Sequence, residues 1–210
     1  TQTNIKTWLW DELTYFDYVI YCPSLTIELP DNITVASGVD ALNHSLESIM
    51  SLKFDARNLD LCNLGIESIW SSLPKVIDNN KNIEERTNML LGSGIAGKAI
   101  HFTGCGICHC IAHTLGSLTK VPHGIAVAYG LFHTIEPVLK KNYDLLQRFQ
   151  GPFKNLPAAS LIKNIQDWLS VLQINYDIIE KKINFKEFIN IYYLDDNKSM
   201  RDNTYYQPSK

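Results

Sequence analysis

From Pro30 onward the apolar residues recur every three or four positions, the spacing of helices that bury one face. The first such segment, ITVASGVDALNHSLESIMS, runs to about residue 51, with Asp31 after Pro30 as its N-cap. The same spacing predicts helices at about 56–79, 83–101, 108–119, 124–141, 156–173 and 185–194, separated by short polar or Gly/Pro breaks. One stretch departs from this pattern. Residues 16–22, FDYVIYC, are aromatic and β-branched and stop at Pro23, which reads as a strand followed by a turn. A lone strand leaves backbone groups unpaired, so the favoured expectation is a strand belonging to a sheet that lies upstream. The final residues, LDDNKSMRDNTYYQPSK, are polar and aperiodic and predict a loose tail. The expected organisation is a strand and linker over 1–29, an all-α domain over 30–195 and a polar tail over 196–210, a mainly α fold.

Composition narrows the class. A chain of 210 residues that is 45% hydrophobic can bury the core of one large domain or two small ones. A net charge of -3 and a pI near 6.0 give no excess positive potential for a phosphate backbone, so nucleic acid is not an expected partner. No apolar run is long enough to span a bilayer, and no charged segment followed by an apolar one opens the chain, so neither a membrane nor an export signal is expected. The cysteines number 5, an odd count, and Cys105, Cys108 and Cys110 crowd together where bridging would be strained. Reduced thiols in a cytoplasmic protein are the expectation. The N-x-S/T triplets at Asn32, Asn43 and Asn197 then count as chance matches.

Several short motifs compete for chemistry. Cys105-Gly106-Ile107-Cys108-His109 spells the haem-attachment pattern, and its cysteines could seed a zinc site. Neither is favoured, because no axial partner or second Cys/His pair stands at a matching spacing and Cys22 and Cys62 are isolated. Gly92-Ser93-Gly94-Ile95-Ala96-Gly97-Lys98-Ala99 resembles both the dinucleotide and the phosphate-loop patterns, which need a strand before the loop and a helix after it. Here helix formers precede it and Ala99 lacks a hydroxyl, so small residues at a helix contact are the better reading.

A further constellation survives. Asp40 and His44 stand at i and i+4 on one helix, and His109 and His113 repeat that spacing downstream. His123 follows in Val121-Pro122-His123-Gly124, a turn just before another helix. One carboxylate and three imidazoles suit ferrous iron, zinc or nickel and leave room for a substrate oxygen. The structural alternative is that Asp40 simply pairs with His44. His101 and His133, set among apolar neighbours, read as hydrogen-bonded core or surface histidines.

GVDALNHSLES, a helical spacer ending in GIAGKA, and then GCGICHCIAHTLGSLTKVPHG resemble the C-terminal half of the iron-containing alcohol dehydrogenase family over roughly residues 16–142. The resemblance implies a dehydroquinate synthase-like all-helical domain, with 1–29 as the remnant of an α/β nucleotide-binding domain absent from this sequence. It implies Asp40, His44, His109 and His123 as metal ligands, with Fe2+ the expected ion and Zn2+ also compatible. His113 matches a non-ligand beside the nicotinamide, with an implied part in cofactor contact and proton relay. The implied activity is hydride transfer between NAD or NADP and a primary alcohol or aldehyde, with a homodimer as the default assembly. The alternative is a catalytically silent metal-binding fragment or half of a split enzyme. Cys22 where the family usually has Asp, Val127 for a frequent Asn and the missing C-terminal N-P-R depart from the family pattern.

Overall fold

In the computed structural model, residues 12–14 and 16–208 are described. The chain folds into helices α1 (Asp31–Met50), α2 (Leu59–Asp78), α3 (Ile83–Thr103), α4 (Ile107–Thr119), α5 (His123–Lys141), α6 (Ala158–Val171), α7 (Asp177–Lys182), α8 (Phe185–Tyr192) and α9 (Lys198–Arg201). The predicted helices are all present, with ends displaced by a few residues. Asp31 lies inside the first turn of α1 rather than at its cap, where its charge faces the positive end of the helix dipole.

α1 is the central helix. Residues 41–50 are all buried except His44, so this helix shows the core more than one face, and its sides pack against α2, α3 and α5. Leu42, Leu46 and Ile49 meet Ile66, Ile69 and Leu73 of α2 and Leu131 and Ile135 of α5 in one continuous core, closed below by Phe149, Phe153 and α6. Trp70 stacks on Trp168 at 5.0 Å between centroids, which fastens α6 to α2.

The helix crossings that set the site are tight. A Cβ on Gly124, in the first turn of α5, would lie 1.8 Å from the Ala36 carbonyl oxygen of α1. Only glycine lets these two backbones approach so closely, and Gly124 follows His123 directly.

Two further expectations are corrected. Residues 16–22 form no strand among the described residues, and Phe16, Tyr18, Val19 and Ile20 are exposed. β-propensity expresses itself only against a neighbouring strand, and none is paired with it here. The tail is ordered rather than loose: Met200, Arg201, Asn203 and Thr204 are buried. The Asn203 amide donates to the carbonyls of Thr103, Gly104 and Cys105 at 3.0, 3.2 and 3.1 Å, so a polar segment satisfies the turn between α3 and α4. The sequence pattern also left out α7, too short for a periodic signal.

The declined motifs are absorbed by packing. GSGIAGKA lies within continuous α3, where Gly92 and Ala96 face α2, and no set of N–H groups converges on a phosphate. Cys62, Cys108 and Cys110 are buried, and burial pushes the Cys62 and Cys110 thiols up to about 12, so they act as small apolar groups. No helix among the described residues is long and apolar enough to cross a membrane.

Candidate metal centre

Asp40 and His44 project one turn apart from α1, His109 comes from the first turn of α4, and His123 opens α5. The Nε2 atoms of His109, His123 and His44 lie 3.3, 3.6 and 3.9 Å from a single oxygen, Asp40 Oδ1. Asp40, His44 and His109 each offer one ligand atom within 4.8 Å of the others. The rings of His44 and His109 are stacked with centroids 4.9 Å apart, and His123 tilts against His109 at 5.4 Å. His109 is 1% exposed, while the side chains of Asp40, His44 and His123 are 23%, 25% and 30% exposed. The cluster is therefore sealed behind His109 and open in front, as a centre that admits an outside oxygen must be.

The donor atoms fit a divalent cation. Asp40 Oδ1 and His109 Nε2 are buried and lie 3.3 Å apart, without a well-aligned hydrogen bond to each other or to any other group. Buried polar atoms left in this state are costly, and a cation between them would satisfy both. Three imidazoles and a carboxylate form a mixed N/O set that accommodates Fe2+ or Zn2+.

Behind the cluster stands a residue that sequence reasoning missed. Glu47 is fully buried, and its Oε2 accepts from His109 Nδ1 at 2.6 Å and from the Gly106 N–H at 2.8 Å, while Oε1 accepts from the Cys108 N–H at 2.6 Å. It thus caps α4 and holds the His109 ring in the tautomer that turns Nε2 toward Asp40. A signal was available, since Asp40, His44 and Glu47 fall at i, i+4 and i+7 on one helical face. Gly106 belongs to the same device, because a Cβ there would sit 3.0 Å from Glu47 Oε1.

His113, 4% exposed, lies one turn beyond His109 and meets the His123 ring edge-on at 5.5 Å. His101 and His133 are exposed and stand outside the cluster, packing on Phe102 and Tyr129.

Electrostatics couples the groups. Burial penalises the Asp40 charge, but the close approach of His109 and the attraction of His44, His109 and His123 prevail and bring its carboxyl to about 2. Burial likewise opposes protonation of His109, yet Glu47 and then Asp40 hold the imidazolium and raise it to about 9. His44 is pushed down, by burial first and by the charge on His109 second.

A pH dependence follows for the metal-free chain. Its folded pKa being raised, His109 contributes stability that is complete below the ordinary value of 6.5 and is lost as pH climbs through about 9. A cation must displace that proton, so its apparent affinity is expected to rise roughly tenfold per pH unit across the same window. Competition titrations with a chelator at stepped pH, together with melting curves of the metal-free chain, check both slopes. A flat affinity profile would mean that no ligand proton is released.

These features define a class: an all-helical domain with an Asp/His cluster set where three helices meet. Residues 34–188 match the family described as Fe-containing alcohol dehydrogenase, C-terminal, and the chain belongs to that family. It is similar to maleylacetate reductase 1 of Cupriavidus pinatubonensis, 31% identical over 161 residues that cover 74% of this chain and 45% of the reductase. It is also similar to the probable alcohol dehydrogenase EutG of Salmonella typhimurium, 37% identical over 112 residues, 53% of this chain and 28% of the relative. The fold superposes on an alcohol dehydrogenase from Oenococcus oeni with a TM-score of 0.78 at 24% identity, covering 89% of this chain and 51% of the other. Sulfoacetaldehyde reductase of Bifidobacterium kashiwanohense, solved with NAD+, gives a TM-score of 0.76 at 19% identity over 90% of this chain and 49% of the other. The chain spans 45% and 28% of the length of the two curated relatives and about half of each solved one.

Proposed function

We propose that these residues form the metal-binding half of an NAD(P)-dependent alcohol dehydrogenase or aldehyde reductase. Asp40, His44, His109 and His123 would hold one divalent cation, Fe2+ in the first instance with Zn2+ compatible. The convergence of three imidazole Nε2 atoms on Asp40 Oδ1 carries the reading. When bound, the ion supplies Lewis acidity that stabilises negative charge on an alcohol or carbonyl oxygen during hydride transfer.

The remaining work falls to side chains. Asp40 offsets part of the cation's charge, and Glu47 fixes the His109 ring and lends it negative charge from behind. The open side formed by Asp40, His44 and His123 admits the substrate, while buried His109 excludes water from the back. His113, against the His123 ring, is placed to move the hydroxyl proton at its imidazole. In the enzyme assembled with its nucleotide-binding part, His113→Ala is expected to lower kcat by about a hundredfold or more with bound metal unchanged. Loss of metal along with activity would make His113 a structural residue.

Hydride transfer also requires a held nicotinamide, and on this reading that part lies outside the present 210 residues. The purified chain loaded with Fe2+ is expected to bind metal and to leave NADH unoxidised when an aldehyde is added. Turnover by the chain alone would place the cofactor here and overturn that division of labour. A metal-binding module that never joins a nucleotide domain is the second reading. Failure to recover activity when the chain is combined with a family nucleotide-binding domain would favour it.

The names of the relatives include an alcohol dehydrogenase, a maleylacetate reductase and a sulfoacetaldehyde reductase.

A further inference from the structure

His44 is shared between the cluster and a cavity of about 490 Å3, within the range of small-molecule sites. The walls of that cavity include apolar Phe102 and Met200, the Ser199 side chain, and two further basic residues, Lys53 and His101, with no carboxylate among them. Lys53 makes no ion pair among the described residues. The nearest acid along the chain, Asp55, is held by Arg57. Asp195 and Asp202 line a separate hollow that Lys53 also borders, and Asp202 is taken by Lys198 and Arg201. Inside the centre, the charges of Asp40 and Glu47 would be balanced by a divalent cation, which leaves the cavity with a net positive wall.

We infer that this cavity selects an alcohol or aldehyde carrying an anionic group, a carboxylate or sulfonate, with Lys53 and His101 receiving the anion while the reacting oxygen faces the His44 side. The inference rests on the function proposed above and deepens it by naming the substrate class. A neutral alcohol of equal length would fill the same apolar walls but would leave the lysine without a partner. The difference is therefore an electrostatic gain, moderate in size because the Lys53 amine is solvent-accessible, and weakened by salt.

The test is equilibrium binding to the Zn2+-loaded full chain, which needs no turnover. Calorimetry compares 4-hydroxybutanoate with 1-pentanol, a neutral alcohol of matching length. The carboxylate compound is expected to bind about fivefold to tenfold more tightly at low ionic strength, with the advantage shrinking as salt is added. Lys53→Gln should remove most of that preference and leave 1-pentanol affinity and zinc stoichiometry unchanged, while Lys53→Arg should retain it. Equal affinities for the two alcohols, or a preference that survives Lys53→Gln, would overturn the inference even though zinc binds. Failure of the chain to take up zinc at all would strike the underlying metal site, and the substrate class with it.

Discussion

Glu47→Ala is expected to destabilise the metal-free chain by about 3–5 kcal/mol and to weaken divalent-metal binding by about 10- to 100-fold. The size comes from what the carboxylate does at once. Its removal would leave the N–H groups of Gly106 and Cys108 without an acceptor at a buried helix start, and would strand a charged His109 behind the cluster. An ordinary surface carboxylate in a helix would give a change within about 0.5 kcal/mol. Glu47→Gln separates the contributions, because it preserves shape and one acceptor while removing the charge that holds the imidazolium. Its urea midpoint should fall between those of the wild type and Glu47→Ala, and the His109 proton should come off at lower pH. Equal stability of all three proteins would mean that α4 is held by its apolar face alone.

The second large effect concerns a position with no polar chemistry. Gly124→Ala would press a methyl group into the Ala36 backbone, at 1.8 Å from its oxygen and 2.4 Å from its carbonyl carbon, where no side chain can swing aside. α1 and α5 must then part, at a cost of about 1–3 kcal/mol for overpacking. Because His123 is the adjacent residue, its ring leaves Asp40 as the helices separate. Metal affinity is expected to fall about tenfold or more, although no ligand has been altered. Gly97→Ala supplies the contrast: it lies in α3 with nothing within 4 Å of the added methyl. That variant should be neutral or more stable by up to about 1 kcal/mol, through helix propensity. Paired melting curves and metal titrations decide the matter, and equal behaviour of the two variants would remove the close helix approach from the account.

The different fates of the sequence expectations have physical reasons. Asp40 and His44, like His109 and His113, could be grouped in advance because a helix repeats its face every three to four residues, which makes i, i+4 pairs spatial neighbours. That α1, α4 and α5 bring Asp40, His44, His109 and His123 together is a tertiary fact, foreshadowed by the family resemblance rather than by spacing. Glu47 lay on the legible face but gave no sign of its purpose. A carboxylate one turn past a histidine is ordinary on any exposed helix, and only the arrival of α4 makes it a cap. The C-terminal segment misled for a related reason. Asn203 and Arg201 look solvated by composition, yet they are consumed by carbonyls at the α3–α4 turn and at Tyr192, and local pattern cannot reveal such distant partners. FDYVIYC shows the converse. Its residues carry β-propensity, but a strand exists only with a neighbour, and among the described residues it has none.

Metal-edge X-ray absorption on the Fe2+-loaded chain, compared with His123→Ala, tests the proposed centre most directly. The account predicts one iron per chain with three imidazole nitrogens and at least one oxygen in its first coordination sphere, and the loss of one nitrogen in the variant. An ion bound by fewer than three imidazoles, or a spectrum unchanged by His123→Ala, would contradict it.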